Sequence, residues 1–273
     1  MELTGRANAE SSGSKSLPAK QENAILRALA RNNNSADKGE IEPAMAAALK
    51  LSGLSQRLVA IAAALGDGRV ILPVLPHAAS SEGDCPSGQL PQIHLKGTSA
   101  ALAVPVYSSL AAMNEAVAAG LGSKLDPSAG AENLPRPLPV GARALAIAAL
   151  DSPGRMLLDE TYLLPRPLLN ALACADTWVP SWENPALLAG ISRVIGQVLP
   201  GADWEIIPQI AGPDRLLLAV DPNRPGLAAA FQALQRGINA LDNLEAAADL
   251  LEVTPVPAHG GNQFRSQVLT WQD

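Results

Sequence analysis

The chain has 273 residues, a mass of 28.2 kDa, a formal charge of -6 and a pI near 5.1. It exceeds the roughly 100–150 residues of a usual single core, and its acidity excludes a sequence-independent grip on nucleic acid, which needs clustered Lys and Arg. Hydrophobic residues make up 48% and aromatics only 3%, so Ala, Leu, Val and Ile must fill the interior, and no apolar run reaches the roughly 18–20 residues of a membrane-spanning helix.

Residues 1–40 are rich in Ser, Asn, Gly, Lys and Glu and read as a mobile arm, with a short helix over residues 21–31 interrupted by Asn32-Asn33-Asn34-Ser35. The start lacks the charged-then-apolar pattern of a secretory signal, so a cytoplasmic location without a membrane partner is expected. From Ile41, apolar residues recur at Met45 and Leu49, then at Leu54, Leu58, Ile61 and Leu65. These three- and four-residue steps predict two amphipathic helices divided at Ser52-Gly53, with Gly66 and Gly68 as the stop.

Residues 69–75 read as a buried strand in which Pro73 marks an edge, a bulge or an interrupted pairing. Residues 91–95 and 101–107 read as two more strands, and Val104-Pro105-Val106 repeats the pattern of Leu72-Pro73-Val74, predicting neighbouring irregular strands. Ser108-Ser109 is placed to cap a helix over residues 110–119. A Gly, Ser and Pro-rich loop is expected over residues 120–139, then a helix over 140–150, strands over 155–158 and 162–164, and a helix over 167–173. Beyond Trp178-Val179-Pro180-Ser181-Trp182, the pattern predicts a helix over 185–199, strands over 204–210 and 215–220, a helix over 225–240, a short helix near Leu244 and a strand over 250–256. Gly212-Pro213-Asp214 is a turn signal between two of these strands.

The expected fold class is mixed α/β, of the α+β kind, with two small sheets each carrying packed helices. The expected organisation is an arm over residues 1–40, one domain over 41–183, a second β-β-α-β domain over 184–257, and an irregular tail over 258–273 that docks through Phe264 and Trp271.

Gly-Arg-Val-Ile-Leu-Pro-Val at 68–74, Val-Pro-Val-Tyr-Ser-Ser at 104–109, and Leu-Pro-Arg-Pro at 164–167 with the Leu and Ala-rich stretch after it resemble the N-terminal domain of the SseB-like family, named for enhanced serine sensitivity. Residues 190–257 resemble its C-terminal domain. The resemblance implies a cytosolic bacterial protein of unresolved role, with an accessory part in serine or sulfur metabolism. The insertion over residues 76–88 and the N-terminal arm depart from the family pattern.

Residues suited to chemistry are sparse. Asp84-Cys85-Pro86-Ser87-Gly88 is similar to the cysteine loop of sulfurtransferases, where backbone amides and a cation stabilise a thiolate. Here no Arg or Lys lies in the loop and Asp84 disfavours the thiolate, so an inert loop thiol is the expectation and sulfur transfer through Cys85 the alternative. Cys174 is expected in packing, and both thiols are read as reduced. His77, Cys85 and His94 match no compact zinc spacing. No Gly-x-Ser-x-Gly elbow exists, and Gly66-Asp67-Gly68 precedes a strand, the wrong order for a phosphate loop.

Three constellations suit binding. Tyr107, Ser108 and Ser109 stand at a strand end where helix amides can receive an anion, although capping alone explains the serines. Leu-Pro-Arg-Pro-Leu occurs at 134–138 and again at 164–168; each copy is expected just before a helix, leaving Arg136 and Arg166 as surface anchors. Trp178 and Trp182 either seal a domain junction or, if exposed, present a partner surface. These residues suit a non-catalytic protein that binds a partner protein or a small metabolite, with no cofactor and no metal.

Overall fold

A computed structural model describes residues 37–75, 90–95, 101–126 and 134–258. Two helices come first, α1 (Pro43–Leu49) and α2 (Leu54–Gly66), divided where Ser52 and Gly53 predict. Leu54, Leu58, Ile61 and Leu65 of α2 are all buried, because steps of three and four keep one face inward. Gly68 follows in close approach to the helix end: a Cβ there would clash with the Ala64 carbonyl oxygen.

The chain continues through β1 (Arg69–Val74), β2 (Ile93–His94), β3 (Leu102–Val106), α3 (Leu110–Ala118), α4 (Leu121–Leu125), β4 (Arg136–Gly141), α5 (Ala142–Ala149), β5 (Met156–Leu158), β6 (Tyr162–Leu164) and α6 (Arg166–Cys174). Its described residues correct the expected loop over 120–139, which holds α4 and most of β4. The expected helix from Val140 starts instead at Ala142. Pro137 and Pro139 disfavour helical dihedrals at the residues before them, and β1 supplies an antiparallel partner from Arg69↔Gly141 to Val74↔Arg136. Long-range pairing overrides the turn-like composition.

Prolines also set how these strands join. Ile71 and Tyr107 exchange backbone hydrogen bonds of 2.8 and 2.9 Å, an isolated antiparallel bridge between β1 and the end of β3. Continuing that register would set Pro73 opposite Pro105, and neither has an N–H to donate, so the ladder stops after one step. On its other side β3 runs parallel to β5, from Val104↔Met156 to Val106↔Leu158. The two Leu/Val-Pro-Val strands thus meet at a single bridge, the interrupted pairing that Pro73 foreshadows.

The remaining elements are α7 (Pro185–Val198), β7 (Trp204–Ile207), β8 (Asp214–Val220), α8 (Leu227–Asn239), α9 (Leu244–Ala247) and β9 (Leu251–Pro257). Central β8 pairs antiparallel with β7 and parallel with β9. Alternation along β8 sends Leu216 and Leu218 toward Leu187, Ile191, Leu234 and Ile238 of α7 and α8. Leu217 and Ala219 join Ile207 and Val256 in a small cluster on the opposite face.

The fold is a mixed α/β arrangement, as expected, with sheets of two, four and three strands in the orders β1-β4, β2-β3-β5-β6 and β7-β8-β9. The expected pair of sheets becomes three because Pro73 and Pro105 break what would otherwise be one ladder. One core gathers α1, α2, α5 and α6 around β1, β3, β5 and β6; a separate one lies between α7, α8 and the last sheet. Between them the Leu163 N–H donates to the Ile210 carbonyl at 2.9 Å. No helix among the described residues is long and apolar enough to cross a membrane.

Candidate functional site

Trp178 packs on the first core and Trp182 on the second, and the rings meet edge to face with centroids 5.7 Å apart. The segment linking α6 to α7 carries both, so the tryptophans join the two cores, which accords with the junction-sealing alternative. Between them, buried Ser181 donates from Oγ to Oδ2 of Asp214 at 2.5 Å. Burial pushes the Asp214 carboxyl up to about 7. The Ser181 and Gln209 hydrogen bonds oppose that rise, and the charge of Asp249 adds to it.

Asp249 is the second carboxylate of this junction. Arg155 grips it through Nε at 2.6 Å and Nη2 at 2.5 Å, and the Arg166 backbone N–H donates to it at 3.2 Å. Asp249 reaches them from a left-handed backbone, φ 59°, a region Asp tolerates better than most residues. Leu163, Pro165, both tryptophans, Asp214 and Asp249 surround a cavity of about 20 Å³, room for about one water molecule. This is a packed seam, too small for a metabolite. Both indole N–H groups are buried and find no hydrogen-bond partner among the described residues.

Tyr107, Ser108 and Ser109 come together at the end of β3, where both serines make structural hydrogen bonds. Ser109 caps α3, its Oγ accepting from the Ala112 N–H at 3.1 Å. Buried Ser108 donates its N–H to Asp159 Oδ1 at 2.8 Å, and its carbonyl accepts from Arg69 Nη1 at 3.0 Å. Burial raises the Asp159 carboxyl, opposed by the hydrogen bonds Ser108 makes to it. The Tyr107 hydroxyl is buried with no hydrogen-bond partner among the described residues; desolvation, then the nearby Glu160 and Asp159, push its pKa up.

Arg166 corrects the expected surface anchor. Its Nη1 donates to the Leu150 carbonyl at 2.9 Å, and its guanidinium lies so close to Gly154 that a Cβ there would clash with it. Arg136 is exposed in β4, a strand instead of the approach to a helix. Cys174 is exposed at the end of α6, which corrects its expected place in packing, since the amphipathic helix turns that position outward.

A larger concavity lies beside the junction and shares Pro213, Asp249 and Leu250 with it. It is a groove of about 900 Å³ between α8, α9 and the first half of β9. Half-buried Phe231, Leu241, Leu244, Leu251 and Val253 contribute to its walls, and exposed Asp242, Glu245 and Glu252 to its rim. Among the described residues no Lys, Arg or His lines it.

Comparison with protein-family models, with curated proteins and with solved structures finds no match. The SseB-like resemblance therefore rests on the motifs quoted for it. His77, Cys85, Phe264 and Trp271 lie outside the described residues, while His94 is exposed. Among the described residues no group of three or more His, Cys, Asp and Glu is placed to hold a metal ion.

Sequence reasoning missed Asp214, Asp249 and the groove. Pro213-Asp214 reads as a turn, and nothing local reveals that Ser181, far away in the chain, will cover its carboxylate. Asp249 sits among Ala and Leu residues, which is a weak signal of a buried charge. The groove combines the spaced apolar residues Phe231, Leu241 and Leu244 with a strand, a combination only tertiary structure assembles.

Proposed function

We propose that this chain is a binding protein whose contact surface is the groove of α8, α9 and β9. The observation that carries this reading is the volume of about 900 Å³ with half-buried apolar walls, beside a junction that holds room for about one water. Recognition grooves combine such an apolar floor with a polar rim. The Tyr107, Ser108 and Ser109 set and Arg166 contribute by building the scaffold, and Trp178 and Trp182 by fixing the seam against which the groove opens. Treating residues 41–183 and 184–257 as two domains belongs to the same reading. A cytoplasmic location and a link to serine or sulfur metabolism are added by the SseB-like motifs.

A photo-crosslinking residue at Asn239, on the groove wall, tests the proposal in the full chain. The expected result is one crosslinked species that disappears in Leu244→Asp and is absent when the crosslinker stands at Asp67. Equal crosslinking from Asp67, or indifference to Leu244→Asp in a folded variant, overturns it.

A further inference from the structure

We infer that the groove takes a basic amphipathic helix of a partner protein, a partner class that rests on the groove reading above. Two observations select it. The first is charge: Asp242 and Glu245 carry no ion pair among the described residues, and Glu252 has only a 3.4 Å contact with Arg215. Asp249 is already neutralised by Arg155. With no cation among the described residues of its lining, the groove combines an apolar floor with an acidic rim and complements a helix that is apolar on one side and cationic at its flanks.

The second is the closure of the neighbouring sheet edge. The Ala258 N–H donates to the Val220 carbonyl at 2.9 Å, so alternation turns the amides of positions 252, 254 and 256 toward β8 and positions 251, 253, 255 and 257 outward. Pro255 and Pro257 occupy two of those outward places and have no N–H. An added strand would find donors only at Leu251 and Val253, too short a ladder for strand addition. A helix needs no such donors, because it brings its backbone already bonded.

The test uses the full chain and a labelled peptide of Leu, Ala and Lys with Leu at helical spacing, beside two versions carrying Gln or Glu in place of Lys. Fluorescence anisotropy is expected to rank Lys above Gln above Glu. The triple reversal Asp242→Lys/Glu245→Lys/Glu252→Lys should weaken the Lys peptide by roughly ten-fold or more, and added salt should weaken it too. Reversal of exposed Asp67 and Glu115 should not. Circular dichroism confirms that the reversed chains fold; the single Glu245→Lys serves if the triple variant does not.

Equal binding of the Lys and Gln peptides, both lost in Leu244→Asp, overturns the basic partner while leaving the groove reading intact. Lys-peptide binding indifferent to both Leu244→Asp and the triple reversal overturns both. Binding that emerges only in Arg27→Glu/Arg31→Glu assigns the groove to the segment of this chain that carries those two arginines, and peptide-sensitive self-association assigns it to a second copy. Either result overturns a separate partner.

Discussion

Leu-Pro-Arg-Pro-Leu occurs twice, and its copies adopt different structures. In residues 134–138 it runs into β4, with Leu134 and Arg136 exposed; in residues 164–168 it opens α6, with Leu164 and Leu168 buried to 1% exposure. The deciding residues lie just beyond the pentapeptide. Pro139 steers Leu138 away from the helical region, and β1 waits to pair with the strand. Leu169, Asn170 and Ala171 have amides to donate, and α6 forms with its two prolines at the start, where missing donors do little harm. Identical local sequence therefore yields a sheet edge in one place and the foot of a helix at the junction in the other.

Asp249→Ala probes the second copy's surroundings most severely, leaving Arg155 without its carboxylate and the Arg166 N–H without its acceptor. The Asp249 side chain is only 6% exposed, and breaking a buried pair from one side costs about 3–5 kcal/mol. Thermal melting should fall accordingly, with less loss for Asp249→Asn, which keeps one acceptor and tolerates the left-handed backbone. A melting temperature unchanged in Asp249→Ala would remove the ion pair from the account of how the cores are held together.

The same surroundings contain a titratable group that the first copy lacks. Asp214 titrates near 7 when folded, above its ordinary value of 3.8, so the unfolded chain releases this proton more readily. Its contribution to stability is full below about pH 4 and is lost as pH rises through about 7. The melting temperature should consequently fall between pH 5 and pH 8.5, and Asp214→Asn should flatten that slope. An identical slope in the Asn variant would place the pH dependence elsewhere.

Replacing the two arginines compares the copies directly. Arg166→Ala removes the donor to the Leu150 carbonyl and the contact with Gly154, and should destabilise by about 1–3 kcal/mol. Arg136→Ala, on an exposed strand position, should stay within about 0.5 kcal/mol. Denaturant unfolding of the pair measures both, and equal losses would mean that the copies are anchored alike.

How much of this was legible varied with the range of the interaction that decides it. The α2 face of Leu54, Leu58, Ile61 and Leu65 was readable because helical periodicity is local, and so was Ser109 as a cap three residues before Ala112. The strand β4 was not, because its partner β1 lies far back in the chain and its composition is that of a turn. Among the candidate residues, the meeting of Trp178 and Trp182 between two cores was anticipated as one of two alternatives. Arg166 was misread because it packs beside Gly154 and bonds the Leu150 carbonyl, and neither a glycine nor a backbone oxygen leaves a sequence pattern. Asp214 and the groove depend on burial by segments distant in sequence, which a turn signal and scattered leucines do not announce.

A small stability change at the first copy tests what its prolines do. Ile71 points its backbone groups toward Tyr107, so its β4 partner Pro139, and Pro137 opposite Pro73, stand where backbone nitrogens face away from β1. Donors at those two places would make β4 an open template for another chain; proline removes them, as Pro255 and Pro257 do on β9. Pro137→Thr/Pro139→Thr should therefore change folding stability by less than about 1 kcal/mol. Sedimentation should nevertheless show stronger concentration-dependent association than in the unsubstituted chain. Pro165→Thr, at the helical copy, restores a donor at the start of a helix and should leave association unchanged. If the β4 double variant associates no more than Pro165→Thr does, edge closure is not what distinguishes the two copies, and the β9 edge loses its parallel as well.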